Sequence, residues 1–279
     1  MTGVQKIETG EFAPLSSLSF SSRSIRVVDW NIDRGLQLSR VIDFLATTKP
    51  DLILLQEVDL NARRTRHLNV AKEIAQKLQM NYAFGREFEE LSQGSSGSPA
   101  YHGQATLSRW PLSNARLIRF REQSHFWRPR WYLPRTEPFQ QRLGGRIALI
   151  THVHIGGTTL VTYNLHLESR GDDQLRRAQL REVLLDAQRY GQEIPLIVAG
   201  DLNLDAAQEN VGADLGQAMF FNPFSGKQLR TRPARSLFDR ARTIDWLFVR
   251  GQLHIARPSV HRSIRASDHY PLSVIVDPL

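Results

Sequence analysis

The run Ile194-Pro195-Leu196-Ile197-Val198-Ala199-Gly200-Asp201-Leu202-Asn203-Leu204 drives an apolar, β-branched strand straight into Gly, Asp and Asn. Asp201 and Asn203 sit two residues apart, so their side chains share a face if the strand direction persists. Core packing has no use for a carboxylate and a carboxamide there, whereas a site that holds a water or an oxyanion does. The same residue types also build strand-ending turns, so this motif alone leaves both readings open.

Other runs repeat the pattern. Asp29-Trp30-Asn31-Ile32-Asp33 ends one predicted strand with a carboxamide and a carboxylate, and Leu54-Leu55-Gln56-Glu57-Val58 ends another with Gln and Glu. Tyr163-Asn164-Leu165-His166-Leu167-Glu168 closes a third strand, Asp245 interrupts the apolar run Thr243–Val249, and Asp268-His269 precedes the last strand. Each has a structural alternative: a turn residue, a solvated strand end, a hydrogen-bonded buried acid, a core histidine. Burying acids at several strand ends costs kcal/mol unless they are paired or metal-bound. Repetition of that cost along one chain argues for a shared site. The absence of cysteine excludes thiolate ligands, disulfides and a Cys nucleophile. Oxygen donors point to a hard cation, Mg²⁺ or Mn²⁺.

These residues need a scaffold of mixed strands and helices. Strands are predicted at Ile25–Trp30, Asp51–Leu55, Ala105–Leu107, Ile194–Ala199, Thr243–Val249 and Leu272–Val276. Arg146–His154 and Thr159–His166 alternate as a hairpin around Gly156-Gly157. Leu38–Thr47, ended by Pro50, and Val70–Leu78 carry helical spacing. Asp172–Tyr190 has one apolar stripe (Leu180, Val183, Leu184, Ala187), with Asp172 able to cap its start. The pattern predicts an α/β fold of two packed sheets with helices outside. Residues 1–22 read as a flexible N-terminal lead-in and 23–279 as a single domain.

The chain has 279 residues and a net charge of +8, nearly all of the positive charge being arginine. Arginine suits bidentate phosphate recognition, so the balance favours a polyanion: nucleic acid first, an anionic membrane surface second. A generally basic soluble surface is the alternative. No run is long and apolar enough for a membrane span, and no secretory signal is evident, which makes the cytoplasm the expected location. No protein partner is implied. The segment Phe126–Arg142 interleaves Phe126, Trp127, Trp131 and Tyr132 with Arg128, Arg130, Arg135 and Arg142. Such a loop can stack bases and hold phosphates, or pack its rings on the core with its arginines solvated.

In this order the motifs resemble the endonuclease/exonuclease/phosphatase superfamily with its DNase I-like fold. Trp30-Asn31-Ile32-Asp33, Leu55-Gln56-Glu57-Val58, His166-Leu167-Glu168-Ser169 and Gly200-Asp201-Leu202-Asn203-Leu204 are most similar to those of 5′-tyrosyl-DNA phosphodiesterases. The resemblance implies a four-layer sandwich of two mixed β-sheets packed face to face, with helices on both outer faces. It implies a Mg²⁺- or Mn²⁺-dependent phosphodiesterase acting on DNA, as nuclease or 5′-end-processing enzyme. Glu57 would be the main metal ligand, with Asn31, Asp33 and Asp268 completing or supporting the site. Asp201 and Asn203 would orient the attacking water. His269, held by Asp245, and His166 would face the phosphate. Asn164 joins Trp127, Arg128, Arg130, Trp131 and Arg135 as expected substrate-binding residues. Asp29, Leu165 and Leu202 stand where the family usually has Thr, and Arg34 where Gly is frequent; none of these removes a catalytic group. A lipid or inositol-phosphate hydrolase of the same fold is the alternative, and a non-catalytic binding module the third.

Overall fold

The structure, a computed structural model, describes residues 4, 6–14, 24–205, 207–227, 229–234, 236 and 239–277. In chain order its elements are β1 (Ile7–Gly10), β2 (Ile25–Arg34), α1 (Leu38–Thr48), β3 (Leu52–Leu60), α2 (Val70–Leu78), β4 (Asn81–Glu90), β5 (Tyr101–Ser108), β6 (Leu112–Arg119), β7 (Arg142–Gly144), β8 (Ile147–Ile155), β9 (Thr158–His166), α3 (Asp173–Ala187), β10 (Leu196–Asp201), α4 (Glu209–Gln217), β11 (Asp245–Arg250), β12 (His254–Val260) and β13 (Leu272–Asp277). One sheet runs β1-β4-β5-β3-β2-β13-β12, with β7 added beside β4; the other runs β11-β10-β9-β8-β6.

Alternation along a strand sends successive side chains to opposite faces, and the two cores follow from it. Leu52 and Leu54 of β3 join Ile197 and Ala199 of β10 and Leu247 of β11 between the sheets. Ile53 and Leu55 instead meet Val41 and Leu45 of α1 and Val70 and Ile74 of α2 on the outer face. On the other side, Leu180, Val183 and Leu184 of α3 and Val211 and Leu215 of α4 cover the smaller sheet. A central strand buried on both faces reads as a continuous apolar run, which is why β3 and β10 were legible. Each fully buried Leu or Ile contributes roughly 1.5–3 kcal/mol relative to exposure. Local signals set the helix ends. The Asp172 carboxylate accepts the Leu175 N–H at 2.9 Å, an N-cap worth about 1 kcal/mol. Lys49 takes a left-handed conformation that ends α1 just before Pro50.

Two mixed sheets face to face with helices outside is the predicted sandwich. The correction concerns the N-terminal lead-in: residues 7–10 form β1, paired antiparallel with β4 from Ile7↔Gly85 to Gly10↔Tyr82. Residues 1–3, 5 and 15–22 of that segment lie outside the described residues. Strand β4 was also unread, because Gly85, Arg86, Glu87 and Glu90 interrupt its apolar pattern. Its acids are buried and matched by arginines from distant segments: Arg146 on Glu87, Arg64 and Arg142 on Glu90. The half-exposed strands β6 and β12 gave no pattern for the same reason an edge rarely does: few of their side chains are buried. Among the described residues, no helix is long and apolar enough to cross a membrane.

Parallel pairing decides where the chemistry lies. β2 and β3 run parallel, as do β9 and β10, so all four carry their C-terminal residues to one end of the sandwich. β11 and β13 run antiparallel to β10 and β2 and begin at that same end.

Candidate active site

At that end a cavity of about 620 Å³ opens between the sheets. It is lined by Asp33, Arg34, Glu57, Trp127, Arg142, Arg146, His166, Ser169, Arg170, Asp201, Asn203, Arg232, Arg242, Asp268 and His269, among others. The motif residues, up to 236 positions apart in the chain, converge here through strand pairing: Asp201 sits beside His166 in β9 and beside Asp245 in β11.

Asp201 is at the centre. Its Oδ1 accepts the Asn203 N–H at 2.9 Å, so the motif does form an Asx turn. Its Oδ2 accepts from Asn31 Nδ2 at 3.1 Å and lies 3.7 Å from Nε2 of both His166 and His269. Turn and site are one structure: one oxygen bends the chain, the other faces the cavity. Asn203 has φ 49°, so it leaves the strand line, and its amide donates to the Leu167 carbonyl at 3.2 Å. Gly200 has φ +142°, and a Cβ there would stand 2.0 Å from the Leu165 oxygen. Only glycine fits this crossing of β9 and β10. Burial raises the Asp201 carboxyl to about 6 despite the His269 charge beside it, with Asp245 adding to the rise.

His269 Nδ1 lies 2.8 and 2.9 Å from the two Asp245 oxygens. A carboxylate only accepts, so Nδ1 carries the proton and Nε2 faces Asp201. Burial works against the imidazolium, but Asp245 and then Asp201 outweigh it and raise His269 to about 9. Trp30 anchors the same residue, its indole N–H donating to the His269 carbonyl at 3.0 Å. Thr231, which sequence reasoning missed, fixes Asp245: its hydroxyl accepts the N–H groups of Ile244 and Asp245, each at 3.1 Å. His166 differs. Burial and then the Arg146 charge hold it well below the usual imidazole range, so it is neutral, and its buried Nδ1 makes no hydrogen bond.

Glu57 stands at a bulge with φ 51°. Burial opposes its charge, but nearby positive charge, that of Arg34 foremost, outweighs burial and keeps it well below the carboxylate range. Asn31 Nδ2 also reaches Glu57 Oε1 at 3.4 Å, while its Oδ1 accepts the Asp33 N–H at 3.1 Å. The amide is therefore oriented, and Asn31 bridges Glu57 and Asp201 rather than offering them its oxygen. Asp33 pairs with the Arg34 guanidinium, which also lies 3.6 Å from Glu57. Asp268 lines the cavity with Oδ2 3.9 Å from His269 Nε2. Among the described residues, two groups could hold a metal ion: Glu57 with His102 and His166, and Asp201 with Asp245 and His269.

Of the expected substrate-binding residues, Trp127 lines the cavity, with the Arg142 guanidinium 4.7 Å and the Arg170 guanidinium 5.6 Å from its ring. Asn164 does not. It is fully buried between the sheets, donating to the Leu55 and Ala105 carbonyls at 3.0 and 2.9 Å and accepting from Gln56 at 2.8 Å. It joins the two sheets and cannot reach a ligand. Arg128, Arg130, Trp131 and Arg135 are exposed on the same loop but do not line the cavity, and Trp131 is 96% exposed. The cationic wall comes instead from Arg34, Arg142, Arg146, Arg170, Arg232 and Arg242. Arg146 is buried, bonded to Glu87 at 2.8 Å and to the Ser169 hydroxyl at 3.0 Å. No local spacing marks these arginines, because each is brought in by a different element.

No curated protein matches this chain. Its fold is similar to an endonuclease/exonuclease/phosphatase from Beutenbergia cavernae DSM 12333, at 18% identity and a TM-score of 0.67, covering 91% of this chain and 72% of that one. It is also similar to D. rerio TDP2 complexed with a single-strand DNA product (19% identity, TM-score 0.60, 91% and 99% covered) and to SmcL (12%, 0.62, 92% and 100%). The model of the endonuclease/exonuclease/phosphatase family matches residues 30–269, which reach from Trp30 to His269 and enclose every acid and histidine of the cavity. The chain belongs to the endonuclease/exonuclease/phosphatase family.

Proposed function

We propose that the protein is a divalent-cation-dependent phosphodiesterase that hydrolyses phosphodiester bonds in DNA, as a nuclease or a 5′-end-processing enzyme. The observation that carries this is the position of Asp201 Oδ2, between Asn31 and the Nε2 atoms of His166 and His269 in an arginine-lined cavity. A water there is beside a carboxylate that titrates near 6 and accepts its proton at neutral pH. As the water oxygen bonds to phosphorus, the bond to the leaving oxygen breaks. The added charge on the phosphoryl oxygens meets the His269 imidazolium and a neutral His166 N–H. Asn31 and Asn203 hold Asp201 in line, and Asp245 holds the His269 ring.

The donors fit a cation. Glu57 keeps its charge and faces the cavity, and Asp33 and Asp268 lie on the same wall. When bound, such an ion polarises a phosphoryl oxygen and stabilises the leaving oxyanion. Six arginines lining one cavity with Trp127 suit a chain of phosphates with bases that stack, which favours DNA. The lipid or inositol-phosphate reading rests on one feature, the Trp131–Tyr132 tip, 96% and 59% exposed and flanked by Arg128 and Arg130. A panel decides: single-stranded, duplex and 5′-phosphotyrosyl DNA against sphingomyelin vesicles and inositol phosphates, with Mg²⁺ or Mn²⁺. Turnover of DNA, lost in Glu57→Ala and His269→Ala, is expected. Turnover confined to lipid, or equal turnover by both variants, overturns the assignment.

A further inference from the structure

We propose that Glu57, His102 and His166 form a mixed oxygen–nitrogen site for an imidazole-accepting divalent cation of the Mn²⁺, Co²⁺ and Zn²⁺ class. The inference rests on the phosphodiesterase reading in sharing Glu57 and His166. One ligand atom from each of the three residues lies within 4.8 Å of the others. They arrive from β3, β5 and β9, so the set spans both sheets.

His102 was not singled out in the sequence. Its Nδ1 lies 3.0 Å from Asp59 Oδ1, and Asp59 is gripped by Arg64 through two bonds of 2.7 and 2.8 Å. All of Asp59 and nearly all of His102 is buried. The acid fixes the tautomer: Nδ1 donates, and Nε2 keeps its lone pair. A carboxylate behind an imidazole is how metal-binding histidines are oriented. A histidine that only filled the core would have both nitrogens satisfied. His166 makes no hydrogen bond; its buried Nδ1 lies 4.0 Å from Glu87 Oε2 and its Nε2 3.7 Å from Asp201 Oδ2.

Two of the expected oxygen donors, Asn31 and Asp33, are less available than these nitrogens. The Asn31 Oδ1 is taken by the Asp33 N–H, and the Asp33 carboxylate by Arg34. One carboxylate and two imidazoles with a side open to the cavity is a His₂Glu donor set, which leaves room for a water. Mg²⁺ dehydrates reluctantly and prefers an all-oxygen shell, whereas imidazole nitrogens select the transition cations.

The test is a Co²⁺ titration of the full chain, followed by visible absorption, with competition by Zn²⁺, Mn²⁺ and Mg²⁺. Wild type is expected to bind one Co²⁺ with imidazole-type bands, displaced by Zn²⁺ and Mn²⁺ at far lower concentration than by Mg²⁺. His102→Gln should weaken binding about tenfold or more. His166→Gln, which leaves the Asp59–His102 bond in place, should do the same and serves if the first variant does not fold. Equal Co²⁺ affinity in wild type and both folded variants, or displacement by Mg²⁺ as easily as by Zn²⁺, overturns the site. No Co²⁺ binding together with intact Mg²⁺-dependent hydrolysis also overturns it, while leaving the phosphodiesterase standing. Co²⁺ binding as described without any phosphodiester turnover upholds the site and overturns that activity instead.

Discussion

Replacing Asp245 by Asn tests how the cavity sets charge. The substitution preserves shape, and the amide oxygen still accepts the His269 N–H, but the negative charge 2.8 Å from Nδ1 is gone. His269 stands at about 9 because Asp245 and Asp201 together overcome burial. Relative to an ordinary histidine, that preference for the cation is worth ~3 kcal/mol. Asp245 is the larger of the two partners, so its loss lowers His269 toward the ordinary value. At about pH 8 a group titrating near 9 is ~90% charged, and one at or below 6.5 is at most ~3% charged. The turnover that needs the imidazolium therefore falls by up to ~30-fold at that pH, and little at about pH 6. In wild type, kcat/KM against pH should be bell-shaped, rising as Asp201 deprotonates near 6 and falling as His269 deprotonates near 9. In Asp245→Asn the alkaline limb should move down toward about pH 7. The assay is hydrolysis of a bis-aryl phosphodiester at fixed saturating metal. It is paired with NMR titration of the His269 ring in metal-free protein. A variant whose alkaline limb stays near 9 refutes the reasoning, because the charge would then come from elsewhere.

Three further outcomes follow from other sites. Burial, and then the Asp245 charge, hold the Asp29 carboxyl well above the carboxylate range, so it folds protonated while the unfolded chain ionises. Its contribution is complete below about pH 4 and is lost at about 1.4 kcal/mol per pH unit as pH rises toward its folded value. Asp29→Asn should thus raise stability to urea at neutral pH, with the gain shrinking toward about pH 4; a pH-independent difference contradicts this. Gly200→Ala meets the Leu165 oxygen at 2.0 Å and a left-handed φ, so it should destabilise by several kcal/mol and lower the melting temperature sharply. Arg170→Ala and Arg242→Ala should each weaken DNA binding similarly across sequences and reduce the salt slope by about one, read by fluorescence anisotropy. An unchanged slope removes them from the phosphate path.

The buried strands were legible because burial on both faces leaves an unbroken apolar run, as in β3 and β10. The helix Val70–Leu78 is where its spacing placed it, and Asp172 caps α3. Asp201, His269, His166, Asp245, Glu57, Asn31, Asp33 and Asp268 were legible as polar residues that strand ends have no structural need to bury. Asn164 carried the same signal for a different reason. Its amide satisfies backbone carbonyls of the facing sheet, and nothing local distinguishes that from a ligand contact. β4 was hidden because its acids look solvated until Arg64, Arg142 and Arg146 are seen beside them.

By itself the sequence determined the strand-end chemistry. Gly200-Asp201-Leu202-Asn203 and its fellow motifs name the groups, since residue type and local polarity are properties of the chain. It could not decide which groups meet. Only the tertiary structure pairs β9 with β10 and β2 with β3, and so brings Asn31 and Asp201, 170 residues apart, to 3.1 Å. That contact, the charge on His269, the neutrality of His166 and the arginine wall are properties of proximity and burial. Coulomb energy and desolvation depend on distance through space, which strand pairing fixes and sequence separation does not.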